Sequence, residues 1–305
     1  MIHTALDVLA DPILPVFAIL ALGYGLGRAG WMALDEARLI NRFAVTILIP
    51  IILFDLLANA PFETYPLAPF LIYVGVQGVI FAIGYLLARR VFGIAPGEAV
   101  ILGYAGIFAN NVFYALPIAV LIYGDSELLP ITIIVILDST VSLAGTMIAL
   151  QAIEKGQVSA KVIFDIFART PALLAILAGL AVGFLDLGVP EPVQTFLDFN
   201  GSAAAPVALF ALGVVLSDAR FGPDPAVAAV VAIKIFVFPA AIALAIWSAD
   251  PAGWSANRLF VFGSAGPVGA VAFSLAIFYN VPTDRLAQVL VWTFLLSLFT
   301  LAVLA

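Results

Sequence analysis

The chain has 305 residues, 64% of them hydrophobic and only 10% charged, with a formal net charge of −7. A soluble fold of this length cannot bury so much apolar side chain, so the composition predicts a polytopic α-helical membrane protein. There is no cysteine, and the one histidine, His3, precedes every apolar span; this excludes disulfides and thiolate ligands, and argues against histidine catalysis, His-ligated haem and the usual zinc sites.

Taken in chain order, the apolar runs predict ten spans at about 11–28, 36–58, 66–89, 98–122, 129–152, 171–188, 193–216, 225–247, 256–279 and 284–304. The short alternating segments of a transmembrane β-barrel are absent. No basic segment precedes the first run, which reads as a retained helix and not a cleaved leader. Turn formers fill the connections: Pro61, Pro66, Pro96-Gly97, Pro190, Pro192, Gly222-Pro223, Pro225, Pro251 and Pro282. The longest connection, 153–170, reads "IEKGQVSAKVIFDIFART" and separates a first five-helix half (1–152) from a second (171–305). Arg28, Arg38, Arg42, Arg89, Arg90, Lys155, Lys161, Arg169, Arg220 and Arg285 fall at odd-numbered connections, with Arg258 the exception. The positive-inside rule then puts those connections in the cytoplasm and both termini outside.

The halves resemble each other. "TILIPIILFDLLA" lies on "SAAAPVALFALGVVL", matching Pro50 with Pro206, and "YALPIAV" lies on "AGPVGAV", matching Pro117 with Pro267. Gln77 falls at nearly the depth of Lys234. Because each half has an odd number of spans, the second copy enters the membrane upside down, which predicts an inverted repeat, a device suited to alternating access about a midplane site.

Polar residues inside apolar spans are costly and mark the protein interior or a wet cavity. The set is short: Gln77, the adjacent pair Asn110 and Asn111, Asp138 with Ser139, Thr140 and Ser142, Lys234, and Ser264; Asp55 lies nearer a span end. Lys234 and Asp138 are both predicted near the midplane. They read either as a structural ion pair, or as a site pair in which Lys234 balances an anionic substrate and Asp138 takes a coupling proton or cation. Pro117 and Pro267, at matched positions beside asparagines and glycines, predict that spans four and nine are broken and cross at those prolines. Half-helix N-termini at such breaks favour an anion.

At this point the sequence resembles the auxin efflux carrier family, in its compact prokaryotic form. "FANNVFYALPI", "NRFAVTILIPIILFDLLA", "GSAAAPVALFALGVVLSD" and "FGSAGPVGAVAFSLAIFYN" carry the resemblance, in order and over nearly the whole chain. It implies a ten-helix membrane fold of two inverted repeats. Helices 1, 2, 6 and 7 would form a scaffold, often the homodimer surface, and helices 3–5 and 8–10 a mobile core. It implies transport of small organic anions, auxin-like or mono- and dicarboxylates, with Asn110, Asn111, Pro117 and Pro267 lining the site. Gln77, Lys234 and Ser264 join that substrate site, and Asp138 becomes the coupling residue, on the physical reading alone.

The expected protein is therefore a multi-pass cell-membrane secondary transporter of elevator type. Its partners are an organic anion, the lipid bilayer and a coupling proton or sodium ion; no cofactor and no nucleic acid is expected. The alternatives are a cation-coupled carrier of the bile-acid-symporter or sodium/proton-antiporter type, and a channel. No Walker-type glycine loop and no complete set of catalytic residues occurs in the spans, so neither an ATP-driven pump nor an intramembrane enzyme is expected.

Overall fold

A computed structural model of the chain describes residues 5–60, 67–123, 129–156, 164, 168, 170–218 and 222–304. His3, Pro61, Pro66, the orienting residues Lys161, Arg169 and Arg220, and most of the connection 153–170 lie outside them. Every regular element among the described residues is helical. In chain order these are α1 (Ala5–Arg28), α2 (Leu34–Ala58), α3 (Leu67–Val91), α4 (Pro96–Ala105), α5 (111–123), α6 (129–155), α7 (Pro171–Phe184), α8 (Glu191–Gly201), α9 (Ala204–Ser217), α10 (Pro225–Ala249), α11 (Trp254–Ser264), α12 (Ala270–Phe278) and α13 (Asp284–Leu304). Among the described residues six stretches are long and apolar enough to cross a bilayer: Leu34–Ala58, Leu67–Val91, Pro130–Glu154, Glu191–Asp218, Pro225–Ala249 and Asp284–Leu301.

α7 is shorter than the apolar run at 171–188. Leu185 and Leu187 continue the hydrophobic pattern, but Asp186 and Gly188 adopt φ of 49° and 68° and end α7 at Phe184.

Prolines inside the spans are absorbed by a local change of helix type. Pro50, Pro117 and Pro239 each stand two residues after a π turn, at Ala44–Leu48, Asn111–Ala115 and Ile233–Val237. A proline has no N–H to give and its ring collides with the carbonyl four residues back. Widening the preceding turn moves that carbonyl aside and rebonds the ladder one residue further on, as in the Leu116 N–H to Asn111 O bond.

The chain divides into two units, each with its own close packing. The first gathers Val16–Tyr65 with Ser139–Ala219. Here α1 and α9 meet through small residues: a Cβ on Gly23 would run into the Phe210 carbonyl, and one on Gly213 into that of Leu20. Gly179 of α7 likewise faces the Phe54 carbonyl of α2, 2.7 Å from where a Cβ would stand. Apolar burial gives little drive between helices already in lipid, so backbone approach of this kind supplies contact that side chains cannot. A polar knot also lies in this unit, where Asp55 accepts from Gln194 at 2.8 Å and from Asn59 at 2.9 Å.

The second unit gathers Met1–Pro15, Pro66–Asp138 and Arg220–Ala305. Inside it α3 packs on α4, with Gly84 facing Gly103, and α10 packs on α11 and α13. Arg285, at the start of α13, bonds Glu98 of α4 at 2.8 Å and Asp224 at 2.7 Å. Asp224 also caps α10 by accepting from the Ala226 N–H at 2.9 Å. One arginine thus ties the first turns of three helices.

Candidate functional site

The site begins with two interruptions in the second unit. Between α4 and α5, Gly106–Asn110 leave the helix; between α11 and α12, Ala265–Gly269 do the same. Each break is five residues long, and the two touch: the Asn110 N–H donates to the Pro267 carbonyl at 2.8 Å. The helical stretches 96–123 and 254–278, where spans four and nine are predicted, are therefore each interrupted, and the interruptions are in contact. The position in span four differs. Pro267 lies within its break, but Pro117 lies seven residues past Asn110, in helical backbone that follows the π turn at Asn111–Ala115. In span four the chain opens ahead of the asparagines.

An interrupted helix frees backbone groups that cannot be left bare in an apolar interior. Gly106 and Ile107 turn back on the preceding helix, bonding Leu102, Gly103 and Tyr104 carbonyls. The Ala109 N–H is directed at the Asp138 carboxylate. On the other side, the Ser264 carbonyl accepts from the Lys234 ammonium at 2.7 Å, and the Val268 N–H donates to the Thr293 hydroxyl at 3.2 Å.

Side chains converge on the same place. Asp138 is buried, and its two oxygens accept from the Gln77 amide at 2.6 Å and the Asn111 amide at 3.3 Å. Lys234 is fully buried; its ammonium lies 5.1 Å from the centre of the Phe238 ring. Lys234 bonds the Ser264 carbonyl and not Asp138, yet the two charges are near enough to interact electrostatically. The pair is thus balanced without being locked in a direct bridge, and the ammonium keeps two further protons to offer.

Of the expected site residues, Gln77, Asn111, Asp138, Lys234 and Ser264 are brought together through their side chains or carbonyls, and Asn110 and Pro267 through backbone. Three π turns hold the key groups: Asn111 opens one, Asp138 opens the one at Asp138–Ser142, and Lys234 lies in Ile233–Val237. Such turns re-aim a side chain by part of a helical step and recur at functional sites. They leave no periodicity in a sequence.

Two residues around the carboxylate escape a reading of polar outliers. Tyr73 and Tyr104 are completely buried, and both are within electrostatic reach of Asp138. Thr293 and Ser297 of α13 also face this region; Ser297 shares a 3.1 Å hydrogen bond with the Tyr114 hydroxyl of α5. A tyrosine deep in a membrane span is itself a signal, because its hydroxyl must find a partner. Among the described residues no group of three or more His, Cys, Asp and Glu side chains converges as a metal site would require.

Comparison with known proteins gives this arrangement its context. The chain is 29% identical over 301 residues, 94% of its own length and 92% of the relative's, to a protein of Rhizobium meliloti named "putative malonate transporter". It is 28% identical over 210 residues, 68% of either chain, to an uncharacterized transporter of Methanothermobacter thermautotrophicus. The sequence pattern of the membrane transport protein family, which includes the auxin efflux carriers, matches residues 8–163 and 157–305. The chain belongs to that family of integral membrane transporters, which are not enzymes.

Proposed function

We propose that the protein is a secondary transporter of small carboxylate anions, malonate and related mono- and dicarboxylates among them, and that the anion binds at the meeting of the two broken spans. The observation that carries this reading is the fully buried Lys234 ammonium, held against the Ser264 carbonyl at the end of α11 and not consumed by a carboxylate. A buried cation with free donors is a receptor for an anion. The first turns of α5 and α12, which restart after the two breaks, add the positive ends of their dipoles. The malonate name of the Rhizobium relative supports the substrate class.

Asp138 is the coupling residue in this reading. With Asp138 ionised, its charge and that of Lys234 cancel and an arriving anion meets a neutral site. A proton on Asp138 leaves the site positive, so anion and proton bind together. The Gln77 and Asn111 amides, which hold the carboxylate, then report its charge to the break that Asn111 restarts.

Elevator-type movement fits the location of these groups. Asn110, Asn111, Gln77, Asp138, Lys234, Ser264 and Pro267 all belong to the second unit, so a site carried by one body of helices is the economical description. The full proposed architecture is ten membrane spans as two inverted five-helix repeats, with both termini outside and a homodimer built on helices 1, 2, 6 and 7. The equal length of the two breaks supports the repeat.

The test is uptake of radiolabelled malonate into proteoliposomes, with and without a pH gradient and with sodium replaced by potassium. A proton gradient is expected to stimulate uptake about tenfold or more, and Lys234→Ala and Asn111→Ala to reduce it by about a hundredfold or more while the protein still folds. Wild-type affinity in both variants would sink the site. Conductance at rates beyond a carrier's turnover would make the protein a channel.

A further inference from the structure

We propose that Tyr73 and Tyr104 donate their hydroxyl hydrogens to the carboxylate of the transported anion, so that two tyrosines join Lys234 in selecting the substrate. The inference rests on the proposed function and deepens it.

Both side chains are fully buried, and neither hydroxyl has a hydrogen-bond partner among the described residues. The Asn111 Oδ1 oxygen, in the same cluster, has none either. Burying a hydroxyl without a partner is unfavourable, and a phenylalanine would make the same ring contacts without that cost. Those contacts are extensive. The Tyr73 ring meets Phe238 edge-on and Phe260 at a tilt, both at 5.8 Å, and Tyr104 stacks on Phe108 at 4.8 Å. Ring packing therefore accounts for an aromatic residue at each position but not for its oxygen.

The two hydroxyls are delivered to one place by different elements. Tyr73 lies one turn before Gln77 on α3, and residues four apart share a face, so Tyr73 looks the way the Asp138 ligand Gln77 looks. Tyr104 is the next-to-last residue of α4, at the edge of the break. Phe238, against which Tyr73 rests, also carries the Lys234 ammonium over its face. Phe108, against which Tyr104 stacks, lies so close to Gly269 that a Cβ there would overlap its ring. Each tyrosine is thus braced by a ring that touches Lys234 or the second break.

The chemistry points to an anion. Lys234 keeps two protons after bonding Ser264, and each tyrosine near Asp138 has one to give, so with Asp138 protonated the site carries one net positive charge and four donors. A carboxylate accepts that many hydrogen bonds. An uncharged analogue of similar shape leaves the donors unpaired, and a site built on hydrogen bonds rejects such analogues strongly.

Tyr73→Phe and Tyr104→Phe test this with a sign that a purely structural role would not produce. Thermal unfolding of the purified protein in detergent is measured in potassium chloride, sodium chloride and potassium malonate. Without malonate, each variant is expected to unfold at the wild-type temperature or about 2 °C above it, because an unpaired buried group has been removed. With malonate, the dissociation constant is expected to rise about tenfold in each variant. An unliganded midpoint below wild type would mean that the hydroxyl serves the fold, and an unchanged malonate constant would free it from the substrate; either overturns the proposal. So does loss of a sodium-dependent shift with the malonate response intact, which would assign the oxygens to a cation. A wild-type protein unmoved by malonate, malate and acetate removes the proposed function itself, and the tyrosine assignment with it.

Discussion

The two broken spans solve the same problem with different residues. In span four the break is followed by Asn111, and the freed groups are met by polar side chains: Asp138 faces the Ala109 N–H and takes the Asn111 amide. In span nine the break is "AGPVG", with no polar side chain of its own. Past the Ala265 and Gly266 N–H groups, which turn back on α11, its partners come from outside: Thr293 for the Val268 N–H, Asn110 for the Pro267 carbonyl, and Lys234 for the Ser264 carbonyl just before it. One break thus supplies side chains, and the other supplies backbone and close approach. The chemistry of the site is concentrated on the first, and the second is shaped to let it come near.

The sharpest way to break that division is to add a side chain where span nine has none. Gly269 opens directly onto the Phe108 ring, which has no room for a Cβ. Gly269→Ala is expected to destabilise the protein by about 1–3 kcal/mol through overpacking and to part the breaks, lowering malonate transport more than tenfold. Gly75→Ala, where nothing lies within 4 Å, is the control and is expected to be neutral or stabilising by up to about 1 kcal/mol. Equal thermal midpoints for the two alanine variants would refute close approach as the role of the span-nine glycines.

A smaller effect is expected from the partner that span nine borrows. Thr293→Val keeps the shape but removes the hydroxyl that accepts from the Val268 N–H. The buried N–H is then left bare, at a cost of about 1–2 kcal/mol. Ser297→Ala removes a hydroxyl that bonds the Tyr114 hydroxyl and the Phe294 carbonyl and not a freed backbone N–H, and is expected to cost less. Thermal unfolding of both in detergent ranks them, and a larger loss at Ser297 would reverse the assignment.

Much of this was legible beforehand, and the exceptions have physical causes. The apolar composition was enough for a helical membrane protein, and polar residues at depth were enough to collect Gln77, Asn111, Asp138 and Lys234, because bare polar groups in a span must meet each other. Thr293 was hidden because a threonine in a helix can satisfy itself on its own carbonyls; it does so here on Leu290 while also accepting from Val268. Tyr73 and Tyr104 were passed over because an aromatic ring in an apolar run reads first as core, although the hydroxyl at its tip is a signal of its own. The π turns leave no signal beyond a proline two residues on, and the one at Asp138 lacks even that.

Pro117 is the instructive misreading, and it supports the smallest prediction. A proline in a span is expected to mark the break, as Pro267 does. Yet Pro117 lies in the helix that restarts after Asn111, two residues past a π turn. Pro117→Ala therefore has little to repair and little to damage. The new N–H has a helical carbonyl to reach, so stability is expected to change by no more than about 1 kcal/mol and malonate transport by no more than about twofold. Pro267→Ala differs, because it places a new N–H inside a non-helical break and loosens the backbone that presents the carbonyl to Asn110. Transport in that variant is expected to fall several-fold more than in Pro117→Ala. If the order were reversed, span four would pivot on its proline after all, and the two breaks would be equivalent in mechanism as well as in length.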